Sequence, residues 1–171
     1  MRTQSLRCTL LHNLETVHIS ADYNLRDCRF PVQTVIRPHT DEYHDFRGYA
    51  GRVAGGIFKK GDKVVALPSG LESTISGIHT LTGELDEAFP PMSVTITLED
   101  DIDISRGDML VRSENRPDGQ QDLDVMLCWL NATPPRPPAK YVLKQTTTDA
   151  RAMITEIQYK MDINTLHRLE D

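Results

Sequence analysis

Three cysteines in 171 residues, Cys8, Cys28 and Cys128, are too few and too far apart for a disulfide framework, and without a C-x-x-C pair they offer no zinc clip. A reducing, cytoplasmic setting is the expectation. No apolar run approaches the ~20 residues that span a bilayer. Met1–Ser20 holds only the pair Leu10-Leu11 as an apolar stretch, so the apolar centre of a signal peptide is missing as well. Clustered Lys and Arg are also lacking: 19 basic residues stand against 25 acidic ones, a net charge of −6, which argues against general binding of nucleic acid. Alanine is scarce too. Nine Ala stand against 37 Val, Ile and Thr, and β-branched side chains suit pleated surfaces better than helices.

The chain accordingly reads as all-β. In Met92–Leu98 the residues Met92, Val94, Ile96 and Leu98 point one way and Ser93, Thr95 and Thr97 the other, the pattern of a half-buried strand. Further short strands are expected at 30–36, 49–54, 63–67, 73–78, 109–112, 123–130, 141–146 and 152–161. Turn signals separate them, among them Lys60-Gly61-Asp62, Pro68-Ser69-Gly70, Thr82-Gly83 and Arg106-Gly107-Asp108. Many short strands joined this way make a closed barrel or a sandwich. One short helix is expected near the start, where Leu10, Leu14 and Val17 recur at helical spacing. A polar break at Arg116-Pro117-Asp118-Gly119-Gln120 divides the chain into a leader (1–28), a first barrel (29–116) and a second, incomplete β unit (117–171). With only three strands the last unit cannot close, and its open edges lead to the expectation of a homo-oligomer through residues 121–171.

The densest polar cluster is His39-Thr-Asp41-Glu42-Tyr43-His44-Asp45-Phe46-Arg47. Two imidazoles and three carboxylates could in principle coordinate a transition metal. A single loop rarely preorganises such a site, however, and a solvated loop between two strands explains the polarity without one. No metal is expected. The preferred functional reading is a partner contact through His39, Asp41, Glu42, Tyr43, His44, Asp45, Phe46 and Arg47, since Tyr, Phe and Arg are well suited to anchoring an interface. Gly48, Gly51, Gly55 and Gly56 are expected to mark bulges or close backbone approaches rather than a phosphate cradle. Pro135-x-x-Pro138 is read as a stiff loop, and Trp129, alternating with Val125 and Leu127, as part of a core face.

Several runs carry a resemblance. Arg29-Phe-Pro-Val-Gln33, Ile36-Arg-Pro-His39, Asp45-Phe-Arg-Gly-Tyr-Ala-Gly51, Gly61 to Gly70, Asp101 to Asp108, Cys128-Trp129 and Ile157 to Leu166 resemble the large, GTPase-bearing subunit of bacterial sulfate adenylyltransferase. The likeness covers about Leu10–Asp171 and leaves out Met1–Thr9. It implies a parent built like elongation factor Tu, of which this chain would hold the tail of the GTP-binding domain, the whole second-domain barrel and roughly the first half of the third domain. It further implies a small catalytic subunit as partner, with which the family makes adenosine 5′-phosphosulfate and pyrophosphate from ATP and sulfate, driven by GTP hydrolysis.

The nucleotide motifs of that reaction are not found here. Gly56-Ile-Phe-Lys-Lys-Gly61-Asp62-Lys63 comes close to G-x-x-x-x-G-K-[ST], but Asp62 stands where the phosphate-binding Lys belongs. Asp45-Phe-Arg-Gly48 matches only the loose pattern D-x-x-G, and N-K-x-D is missing altogether. The expectation is a scaffold or subunit-contact region with no catalytic residues and no cofactor of its own, GTP and Mg²⁺ belonging to the intact family protein. The alternative is the barrel of a translation-type GTPase contacting aminoacyl-tRNA, which asks for a basic, aromatic-lined groove. The stretch 29–116 instead holds ten basic residues against fourteen acidic ones.

Overall fold

The computed structural model describes residues 9–16, 23–38, 46–165 and 167–169. Apart from one short helix, α1 (Leu10–Thr16), and a single 3₁₀ turn at Ser113–Asn115, its regular structure is β. Thr9 caps that helix, its hydroxyl accepting the His12 N–H at 3.2 Å. Val17, expected on the same apolar stripe, lies outside the described residues, and Leu10, Leu11 and Leu14 are exposed. No helix among the described residues is long and apolar enough to cross a membrane.

Nine strands come next along the chain: β1 (Arg29–Ile36), β2 (Gly48–Arg52), β3 (Phe58–Lys59), β4 (Lys63–Leu67), β5 (Glu72–Thr80), β6 (Gly83–Leu85), β7 (Glu87–Ala88), β8 (Ser93–Leu98) and β9 (Met109–Arg112). Six of them form a ring in the order β4-β9-β1-β2-β8-β5, and β5 pairs back onto β4, so the antiparallel barrel closes. β6 extends one side through β5, while β3 and β7 form a small separate ribbon.

Closure depends on two long strands that each serve two neighbours. In β1, Arg29–Pro31 pair with β9 and Val32–Ile36 with β2, with a register shift between Val32 and Thr34. In β5, Lys63 and Val65 of β4 face Thr74 and Glu72, whereas Ile75–His79 face β8, with a shift between Ile75 and Gly77. An extra residue on one strand bends it and raises its twist, which turns a flat ladder into a corner. Beside the first corner the backbones crowd together. A Cβ on Gly51 would stand 2.4 Å from the Pro31 carbonyl oxygen, so only glycine fits.

Alternation fills the interior. Phe30, Val32, Tyr49, Val64, Ile75, Ile78, Val94, Ile96 and Leu110 are all buried, and Phe30 meets Phe58 edge-on at 6.2 Å between ring centroids. Each large aliphatic side chain buried this way contributes about 1.5–3 kcal/mol. Val94 and Ile96 point inward as the pattern of β8 requires, with Met92 and Leu98 packed at the margin of the core.

The chain enters and leaves this barrel at one place. The Arg29 guanidinium donates to the Asn115 backbone carbonyl at 2.9 Å and to its side-chain oxygen at 2.8 Å, and the Asn115 amide donates to Asp27 at 3.0 Å. Hydrogen bonds from Asn24 and then Asn115 hold the Asp27 carboxyl below the ordinary carboxylate range.

Beyond residue 116 the order changes. β10 (Ala139–Gln145) and β11 (Thr148–Ile154) make a regular hairpin, and β12 (Lys160–Met161) pairs with β13 (Arg168–Leu169). The hairpin tip rests on the barrel, where the Thr148 hydroxyl donates to the Gly107 carbonyl. Two expectations fail here. Residues 123–130 form no strand, and the single strand expected over 152–161 is divided between the end of β11 and β12. Val125 and Leu127 are exposed rather than core, and Trp129 is half-buried edge-on to Tyr141 at 5.0 Å. Alternation states which face a strand would bury, but a ladder also needs a neighbour, and among the described residues none pairs with 123–130.

The barrel core makes a direct prediction. Ile96→Asp places an unpaired charge at a position with no exposure and should unfold the barrel, a cost of at least about 3 kcal/mol. Ser93→Asp, at an exposed position of the same strand, should leave the melting curve within about 0.5 kcal/mol of wild type. Thermal melts followed by circular dichroism check both.

Candidate functional site

Of the eight residues expected at a partner contact, His39, Asp41, Glu42, Tyr43, His44 and Asp45 lie outside the described residues, and Phe46 and Arg47 lie within them. These two sit at the entry to β2, at the rim of an open cleft of about 670 Å³. Arg37, Phe46, Tyr49, His79, Thr97 and Asp101 are among its lining.

Arg47 organises one wall. Its guanidinium pairs with Asp101 and, at 3.4 Å, with Asp103, and it lies over the Tyr49 ring at 5.6 Å from the centroid. The arginine side chain is only 16% exposed against 83% and 91% for its two acidic partners, so the cation is sunk into the wall and the acids face solvent. Its Nε is buried and has no hydrogen-bond partner among the described residues. Below it the Tyr49 hydroxyl donates to the Ile102 carbonyl at 2.9 Å. Burial raises the Tyr49 pKa above its ordinary value, outweighing the lowering effect of Arg47. The same segment is held a second time, because Ser73 donates to the Asp100 carboxylate at 2.9 Å and accepts the Asp100 N–H at 3.2 Å.

The opposite wall comes from β5 and β8. Ser76 donates to the Thr97 hydroxyl at 2.9 Å, and Thr97 donates in turn to the Gly77 carbonyl at 3.3 Å. His79 Nε2 lies 3.4 Å from the same Thr97 oxygen, and the His79 ring meets Phe46 edge-on at 6.0 Å. The hydroxyls and the imidazole are thus joined to one another and to backbone rather than arranged as nucleophile and base. Among the described residues no three His, Cys, Asp or Glu side chains converge as metal ligands. The geometry suits contact: an aromatic edge, a seated arginine and exposed carboxylates on one face.

Sequence reasoning misses Tyr49, His79, Thr97 and Asp101 at this site. Arg47 and Asp101 are 54 positions apart, and only barrel closure brings β2 beside the segment after β8.

The run resembling a phosphate loop does not fit a phosphate. Gly61 takes a left-handed φ of +88° at the turn between β3 and β4, and the Asp62 carboxylate accepts the Lys59 N–H at 2.9 Å and the Arg112 guanidinium. A carboxylate fixed there repels phosphate.

The Arg47 wall has a measurable signature. Tyr49 should ionise only above the ordinary phenol range near pH 10. Because its pKa is raised in the folded state, the associated stability is intact below the unfolded pKa and is lost as pH rises through the folded one. Tyr49→Phe removes the bond to Ile102, should cost about 1 kcal/mol and should abolish the late step in an ultraviolet pH titration.

Comparison with known proteins agrees with this architecture. Residues 122–171 match the family described as GTP-eEF1A C-terminal domain-like. Sulfate adenylyltransferase subunit 1 of Bacteroides fragilis is 52% identical over 158 residues, 92% of this chain and 32% of that protein. The bifunctional enzyme CysN/CysC of Mycobacterium tuberculosis is 50% identical over 94% of this chain and 26% of its own length. Among solved structures, a bacterial selenocysteine-specific elongation factor EF-Sec superposes with a TM-score of 0.60 at 17% identity, covering 84% of this chain and 23% of that one. Sup35 complexed with GMPPNP superposes with a TM-score of 0.62 at 14% identity, covering 98% of this chain and 40% of that one. At such identities the structures speak for the fold alone, that of translation-factor β domains. By sequence the chain is a relative of sulfate adenylyltransferase subunit 1 and of CysN/CysC, matching them over more than nine-tenths of its own length and between a quarter and a third of theirs.

Proposed function

We propose that this chain serves sulfate activation as the non-catalytic β region of a sulfate adenylyltransferase large subunit. The observation that carries the reading is identity of about one half along nearly the whole chain to proteins bearing that name. In such an assembly ATP and sulfate give adenosine 5′-phosphosulfate and pyrophosphate on a small catalytic subunit, and a GTPase domain supplies the driving force. The residues here act as the rigid body between them. The Phe46–Arg47 face is the contact with the small subunit, because it presents an aromatic edge and exposed Asp101 and Asp103 on a segment fixed by Arg47, Tyr49 and Ser73. A preorganised surface loses little side-chain entropy on binding.

Two outcomes are expected. A fluorescent guanine nucleotide titrated into the purified chain should give no saturable signal, and saturable binding would overturn the non-catalytic reading. Phe46→Ala combined with Arg47→Ala should weaken capture of the small catalytic subunit at least tenfold, about 1.4 kcal/mol, in surface-binding assays. Lys59→Ala, an exposed position in the separate β3–β7 ribbon paired with Glu87, should leave capture unchanged. Circular dichroism melts establish that the double variant is folded, and undiminished capture by it removes the contact from this face.

A further inference from the structure

The stretch that joins the barrel to the β10–β11 hairpin contains a pair of residues suited to covalent change. No helix or strand lies between the 3₁₀ turn at Ser113–Asn115 and β10, and every residue from 116 to 128 is exposed. Within it Asp118 is the only aspartate of the chain that is followed by glycine. That order matters chemically, because the amide nitrogen of the following residue closes a five-membered ring on an aspartyl side chain when no side chain of its own stands in the way. Gly119 leaves this approach open. A Cβ built on it would meet nothing within 4 Å, and its N–H makes no backbone hydrogen bond among the described residues. Aspartates elsewhere are held: Asp27 by Asn24 and Asn115, Asp62 by Arg112, and Asp149 in the ladder opposite Lys144.

We propose that Asp118-Gly119 is a site of spontaneous backbone rearrangement to isoaspartate. The Gly119 nitrogen attacks the carboxyl carbon of the Asp118 side chain. A C–N bond forms, a C–O bond breaks, and the oxygen leaves as water with the amide proton and the carboxyl proton. Water then opens the cyclic imide. Attack at the side-chain carbonyl restores aspartate, whereas attack at the main-chain carbonyl leaves the chain running through the side-chain carbon with a free α-carboxylate as its branch. Nothing is oxidised or reduced, the composition is unchanged, and the stretch between the barrel and β10 is longer by one backbone carbon. Asp122 and Asp124 share the same exposed stretch but precede Leu123 and Val125, whose side chains crowd the attacking nitrogen. They serve as internal controls.

Peptide mapping of the aged chain reads all three positions at once. Trypsin releases residues 113–140 as a single peptide, since Pro117 and Pro137 block cleavage after Arg116 and Arg136. After incubation of the folded 171-residue chain at neutral pH, mass spectrometry should find Asp118 passing through a form lighter by one water. Isoaspartate should then accumulate there at least about tenfold faster than at Asp122 or Asp124, and Gly119→Ala should slow it by a similar factor. A synthetic peptide of residues 113–124 gives the rate of the same sequence without the fold. The folded chain should convert within about fivefold of that peptide, because an exposed, irregular stretch leaves the ring closure free. A larger slowing overturns the proposal, since the fold would then hold the pair in place. Conversion at Asp122 or Asp124 as fast as at Asp118, or conversion undiminished in Gly119→Ala, overturns it as well.

Discussion

The structure depends on two strands that each turn a corner. β1 leaves β9 for β2 at Gln33, and β5 leaves β4 for β8 at Ser76. Without those offsets six short strands would form a flat sheet with two open edges, and Phe30, Ile75 and Ile78 would have nothing to pack across. Closure therefore comes before the core. It also explains why Gly51 faces the first corner, where the Pro31 carbonyl occupies the place of a side chain.

The cleft inherits its form from the same geometry. β2 runs beside β8 in the ring, and that adjacency lets Arg47 reach Asp101 and Asp103 while Tyr49 holds Ile102 from below. The segment after β8 is an irregular stretch of chain, yet two side-chain anchors fix its path, one from β2 and one from Ser73 of β5. Exposed acids on a fixed path present a defined charge pattern, whereas the same acids on a free loop would average it away.

The inward face of β8 is legible in the sequence because Val94 and Ile96 alternate with Ser93, Thr95 and Thr97, and one residue's side chain settles its neighbour's. The nucleotide motifs are legible in the same local way, Asp62 standing where a lysine would be needed. The pairing of Arg47 with Asp101 is not, since a long-range contact made by closure leaves no trace in periodicity. Residues 123–130 show the opposite failure. Their alternation is as regular as that of β8, but a strand exists only where something pairs with it. The polar run at 39–47 points to the right neighbourhood through Phe46 and Arg47, while His79 and Thr97 reach the cleft from strands whose sequence reads only as strand.

The joining of Arg29, Asn115 and Asp27 has a consequence for how such a barrel is used. Where the incoming and outgoing chain are clasped side by side, the body between them works like a bead on a folded thread: a host chain can carry it without changing the distance between the segments on either side. The two ends of the barrel are thus tied to each other directly by three side chains as well as through the strands between them.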